Sequence, residues 1–114
     1  MTVSADPLQL SQVLGNLCQN GLRYSEKETG EAKLELTGGL EADSNKPYLD
    51  VIDFGTGVDE DLIANLFEPF YTTETTGTGL GLYLSKELCE ANNASLNYVK
   101  ADTGGSCFRI LFRG

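Results

Sequence analysis

Gly77-Thr78-Gly79-Leu80-Gly81-Leu82 alternates glycine with larger residues and then runs into apolar positions at Leu84 and Leu88. Every second residue lacks a Cβ, so the backbone can take conformations closed to other residues and bring its N–H groups against a charged ligand. A helix opening there adds unpaired amides and the positive end of its dipole, which together make a phosphate cradle. The spacing is neither G-x-G-x-x-G nor G-x-x-x-x-G-K-[ST], because no lysine follows the glycines and the first basic residue downstream is Lys86. Two common nucleotide-binding loops are therefore disfavoured. A flexible turn opening a helix would read the same way, and the run alone does not choose.

Asn16 and Asn20 stand at i and i+4, with Arg23 a further turn on, along one edge of an apolar helical stripe. Asparagine is a mediocre helix former and costs desolvation when half buried, so two on one edge suggest a task. Their amide oxygens are suitable hard ligands for Mg²⁺; the plainer alternative is that both hydrogen-bond neighbouring backbone. Tyr24 can offer a flat ring to a base or simply close the core edge. Asp53-Phe54-Gly55-Thr56-Gly57 ends an apolar stretch. An ionised carboxylate there only accepts hydrogen bonds, so it suits the exocyclic amine of adenine and opposes the carbonyl of guanine. A β-turn with Asp as its first residue is the competing account. Phe67-Glu68-Pro69-Phe70, followed by threonines and glycines, can anchor one end of a lid, or can be a packed surface turn.

The bulk properties narrow the partners. A formal charge of −9 with no basic cluster argues against nucleic acid or anionic lipid. A phosphate cradle in so acidic a chain needs a divalent cation, and Mg²⁺ supplies the positive charge that the protein lacks. No apolar run approaches membrane-spanning length, so the chain is expected to be soluble and cytoplasmic, while a parent protein could still be anchored to a membrane. Cys18, Cys89 and Cys107 are odd in number and far apart among apolar neighbours, which reads as three buried free thiols.

These residues need elements to hold them. Leu10, Val13, Leu14, Leu17 and Gly21 fall on one arc of a helix expected from Pro7 to about Tyr24, with Asp6 as its cap. Lys33 to Thr37 alternates like a half-exposed strand, Gly38-Gly39 marks a break, and Tyr48 to Asp53 reads as a more buried strand. A short helix can form over Asp59 to Leu66 and a longer one from Gly79 to Ala91, ended by Asn92-Asn93. Ser95 to Lys100 and Ser106 to Phe112 alternate as a hairpin about Asp102-Thr103-Gly104-Gly105. One α+β domain of 114 residues, with a sheet and its helices packed on one side, accommodates all of them.

Asn16-x-x-x-Asn20, then Asp53-x-Gly55-x-Gly57, then Phe67-x-x-Phe70, then Gly77-x-Gly79-x-Gly81 resembles, in family order, the N, G1, F and G2 boxes of the histidine kinase catalytic domain. The text of the boxes and the short lid look most like sensor kinases of the NtrB and PilS type. The resemblance implies a two-layer α/β sandwich with a mixed, mainly antiparallel sheet and helices on one face, the Bergerat-type fold. It implies ATP and Mg²⁺ as cofactors, with Asn20 on the metal, Asn16 supporting phosphate, metal or its water, and Asp53 on the adenine amine. Gly55 and Gly57 would admit the base, Arg23 would reach a phosphate and Tyr24 would stack on the ring. Phe67 and Phe70 would flank the lid, while Gly77, Thr78, Gly79, Leu80 and Gly81 would hinge it and open the second helix toward the phosphates. From Tyr71 to Thr78 there is no Lys or Arg, so the lid is expected to grip nucleotide weakly.

The related ATPases of the wider superfamily place Glu where this chain has Asn16, and a neutral amide cannot take a proton from water. Transfer to another nucleophile is therefore favoured over hydrolysis. With no His in the chain, the acceptor is expected on a separate helical dimerisation domain, for relay to a response regulator Asp. The fragment itself is expected to be a monomer and the full-length protein a homodimer. A nucleotide-dependent interaction module that transfers no phosphate is the alternative.

Overall fold

The computed structural model describes residues 5–68 and 81–113. Helix α1 (Pro7–Thr29) is followed by strands β1 (Glu35–Leu40) and β2 (Pro47–Ile52), the single turn α2 (Glu60–Ile63), helix α3 (Gly81–Ala91) and strands β3 (Ala94–Lys100) and β4 (Ser106–Phe112). Asp6 caps α1, its carboxylate accepting from the Leu8 and Gln9 amides at 2.9 and 3.2 Å, with Pro7 at the first helical position. The expected apolar stripe is buried through Val13, Leu17 and Gly21. The helix runs one turn beyond Tyr24, because Ser25 is fully buried and Glu26, Lys27 and Glu28 are good helix formers on an exposed face. It stops at Gly30, whose φ of +84° lets its N–H close on the Glu26 carbonyl at 2.8 Å.

The sheet has the order β1-β2-β4-β3. The resemblance implied a mixed, mainly antiparallel sheet, and every pairing among the described residues is antiparallel. Gly38 and Gly39, expected to break the first strand, lie inside it and pair with Leu49 and Tyr48. The Tyr48 hydroxyl sits 3.2 Å from where a Gly39 Cβ would be, so the aromatic ring covers the gap that glycine leaves. The actual reversal comes later, at Asn45 with φ +57°. Asn93, with φ +56°, makes the left-handed exit from α3 that its residue type allows.

Helices α1 and α3 cover one face. Val13, Leu17 and Cys89 meet Val51, Leu96, Phe108, Ile110 and Phe112 in one core, and burying a side chain such as Leu17 contributes about 1.5–3 kcal/mol. Asn92 ties the far ends of the two helices together, accepting from the Asp6 amide at 2.7 Å and donating to Gln9 Oε1 at 2.8 Å. On the opposite face of the sheet, Asp50 and Arg109 form a cross-strand bidentate pair at 2.8 and 2.9 Å. Among the described residues, no helix is long and apolar enough to cross a membrane.

All three cysteines are free thiols, but only Cys89 and Cys107 are buried; Cys18 is half-buried. Burial pushes the Cys89 thiol up to about 11. Burial, followed by the charge and hydrogen bond of Asp50, pushes Cys107 up to about 12, and burial raises Cys18 to a lesser degree. Alkylation of the folded chain near neutral pH should therefore mark Cys18 first, as peptide mass mapping would show; equal labelling of all three would contradict it. The linkage has a defined sign. The unfolded thiols ionise near 9 while the folded ones stay protonated to about 11 and 12, so stability should fall as pH rises through that window.

Candidate nucleotide site

The second half of α1 presents the first set of expected ligands. Asn20 Oδ1 accepts from Arg23 Nη2 at 2.7 Å, and the Arg23 guanidinium lies 5.9 Å from the Tyr24 ring centroid. The amide oxygen expected to hold a metal therefore already faces a cation. Among the described residues no group of three or more His, Cys, Asp or Glu side chains could hold an ion alone. An ion at Asn20 would have to complete its shell with ligand phosphate and water, a donor set that suits Mg²⁺. Asn16 is differently used: its Nδ2 donates to the fully buried Ser85 on α3 at 3.3 Å. The partner is a side chain on another helix and not the neighbouring backbone of the plainer reading, so half of the Asn16 amide joins two helices.

Asp53 follows β2 directly and is 2% exposed. Its Oδ1 accepts from the Gly55 amide at 2.9 Å and from the Ser106 amide at 3.0 Å, which locks the carboxylate to its own loop and to β4. Both bonds use the same oxygen. Among the described residues no buried side-chain oxygen lacks a partner, so Oδ2, which takes none of these bonds, reaches the surface as an acceptor. Gly21, the neighbour of Asn20, backs onto Asp53: a Cβ there would stand 3.4 Å from the Asp53 Cβ. The residues expected to hold the metal and the base are thus brought together across one close helix-to-loop contact.

The glycines of this loop are required for reasons that the structure makes explicit. A Cβ on Gly55 would lie 3.0 Å from the Tyr24 Cβ and 3.2 Å from Asp53 Oδ1. Gly57 has φ +78° and approaches the Gly104 carbonyl as closely. Gly81 is the first described residue of α3, with nothing within 4 Å of where its Cβ would be, so at this position glycine leaves space. Phe67 is held at the core edge, 6.2 Å edge-on to Phe108 and under Lys86 Nζ at 5.0 Å; these contacts anchor its segment and lie with the core, not with Asn20 or Asp53. Phe70, Gly77, Thr78, Gly79 and Leu80, with the rest of the expected lid, lie outside the described residues.

Four residues that sequence reasoning passed over hold Asp53 and the peptide after it: Ser25, Thr103, Gly105 and Ser106. A Cβ on Gly105 would collide with the Asp53 backbone carbonyl and carboxylate. The available signal was the doubled glycine after Thr103. The left-handed Gly104 alone satisfies the turn, so the second glycine needed another reason.

Residues 5–113 match the family model described as "Histidine kinase-, DNA gyrase B-, and HSP90-like ATPase". This chain belongs to that family. Within it, the chain is the catalytic domain of a sensor histidine kinase. It is 56% identical over 107 residues to the sensor protein kinase PilS of Pseudomonas aeruginosa, covering 94% of this chain and 20% of that protein. The chain spans about a fifth of the length of the curated relatives it matches. The nucleotide-free catalytic domain of the histidine kinase ThkA superposes with a TM-score of 0.78 at 28% identity, over 96% of this chain and 69% of that one. Full-length ShkA in complex with AMPPNP gives a TM-score of 0.71 at 28% identity, over 91% of this chain and 21% of that one. In this histidine kinase domain, Asn16 therefore stands in an ATP-binding fold with no carboxylate at its position to activate water.

Proposed function

We propose that this domain binds ATP with Mg²⁺ and donates the γ-phosphate to a His on a separate helical domain, from which it passes to an Asp of a response regulator. The observation that carries the reading is Asp53: a nearly buried carboxylate fixed by two backbone amides, with its second oxygen left as an acceptor at the surface. It would take the adenine amine while Gly55 and Gly57 admit the base and Tyr24 flanks it. Asn20 would hold Mg²⁺ through Oδ1, and Arg23, displaced from that oxygen, would reach a phosphate. The bound ion supplies positive charge against the phosphates of an acidic chain. In the transfer, an imidazole nitrogen bonds to the γ-phosphorus as the bridging P–O bond to ADP breaks, so the pair of electrons leaves with ADP. Asn16, neutral and tied to Ser85, offers no base to a competing water. The acceptor and regulator domains, a cytoplasmic setting and a dimeric parent belong to this same reading.

Labelled ATP and Mg²⁺ test it in one experiment. The chain, which has no His, should show no stable self-phosphorylation, yet should label a separately supplied helical domain bearing an acceptor His. Asn20→Ala should abolish that labelling and the Mg²⁺ dependence of nucleotide binding. Binding of nucleotide without transfer to the helical domain would favour a nucleotide-dependent interaction module instead.

A further inference from the structure

The carboxylate of Asp53 is only as well placed as the backbone that carries it, and that backbone has just left the sheet. The last ladder contact of β2 is the Asp53 amide on the Ser106 carbonyl at 2.9 Å. The next peptide unit joins Asp53 to Phe54, and both of its polar groups are taken by side-chain hydroxyls from different elements. Thr103 Oγ1, in the β3–β4 turn, donates to the Asp53 carbonyl at 2.9 Å. Ser25 Oγ, fully buried on α1, accepts from the Phe54 amide at 2.9 Å. One peptide plane is thus gripped from opposite ends. Thr103 is itself held, accepting from the Gly105 amide at 3.2 Å. The close approach of Gly105 to the Asp53 carbonyl leaves that carbonyl little room to rotate.

We propose that Ser25 and Thr103 are positioning residues which, by clamping the Asp53–Phe54 peptide, set the direction of the Asp53 carboxylate and with it the preference for adenine over a 6-oxo purine. The inference rests on the reading of Asp53 as the adenine acceptor. Without the clamp the Asp53–Phe54 peptide can tilt and the chain path at Asp53 can shift with it, and because the carboxylate hangs from that Cα, its direction changes too. A swung carboxylate no longer meets the amine in line, while a 6-oxo base, which gained nothing from it, is little affected. Selectivity should therefore fall even where the fold does not.

The experiment compares binding of Mg²⁺-ADP and Mg²⁺-IDP by calorimetry in wild type, Ser25→Ala, Thr103→Val and Thr103→Ser, with amide exchange of Phe54 followed by NMR in the absence of nucleotide. Thr103 is exposed and Ser25→Ala removes a single atom, so both variants should fold. Loss of either hydroxyl should lower the ADP-to-IDP affinity ratio roughly three- to tenfold. Thr103→Ser should restore it, and Ser25→Ala should speed exchange of the Phe54 amide. If both nucleotides weaken in equal proportion, or the ratio stays at the wild-type value, the clamp has no positioning role and the proposal fails. If wild type binds neither nucleotide, the proposal falls together with the ATP reading, which separates that failure from the first.

Discussion

Asp53→Asn should weaken binding of Mg²⁺-ADP by about 1.5–3 kcal/mol, roughly ten- to hundredfold, while the domain unfolds within a few degrees of wild type. The substitution is isosteric, and its effect divides between two oxygens. The carboxamide oxygen can take the place of Oδ1 and keep accepting from the Gly55 and Ser106 amides, so the loop stays closed on β4. The amide nitrogen then replaces Oδ2 and turns the ligand-facing acceptor into a donor opposite the adenine amine. Asp53→Ala should behave differently. It leaves two backbone N–H groups without their acceptor in a residue environment only 2% exposed, at a cost of about 1–3 kcal/mol each, so stability and binding fall together. Calorimetry and thermal melts on the two variants distinguish these outcomes. Wild-type ADP affinity in the Asp53→Asn variant would remove Asp53 from the adenine site.

The same residue shows how far the site could be read from the chain. Asp53 stood out in the sequence as a carboxylate at the end of an apolar strand followed by alternating glycines, and the structure gives it a local turn bond to the Gly55 amide as well as a long-range one to Ser106. The placement of Asn20 on α1 beside Arg23 was legible from helical spacing against a stripe whose period is unmistakable. Ser25 was not, because a serine after Tyr24 in a polar stretch looks like the start of a loop; its burial depends on Phe54 arriving from another part of the chain. Ser106 and Gly105 were absorbed into a hairpin signal that was itself correct. Turn chemistry explained them locally and concealed their long-range contact with Asp53. Gly38-Gly39 misled in the opposite direction: the pair looks like a break, and only the cross-strand Tyr48 makes it tolerable within β1. What escaped the sequence was in each case a contact made by partners distant in the chain, and local pattern carries no information about those.

Arg109→Ala should lower the melting temperature by on the order of 10 °C while leaving Mg²⁺-ADP affinity near wild type. Arg109 pairs with Asp50 through two hydrogen bonds of 2.8 and 2.9 Å and stacks 4.4 Å from the Tyr48 ring centroid. Removing it strands a carboxylate whose side chain is 7% exposed. Breaking a fully buried pair costs about 3–5 kcal/mol. The Arg109 side chain is 32% exposed, so water can screen part of the stranded charge, and about 2–3 kcal/mol is the expected loss. Spread over a domain of this size, that is a large fraction of the total stability. Function should be spared because Arg109 alternates with Phe108 and Ile110, which face the helices; its side chain lies on the other face of the sheet from α1. Replacing both partners with leucine should recover most of the loss, since neither charge then remains to be desolvated. A circular-dichroism melt of the single and double variants decides the point. An unchanged melting temperature in Arg109→Ala would mean that the pair contributes nothing, and a single variant that melts normally but loses ADP would mean that the two faces of the sheet are coupled.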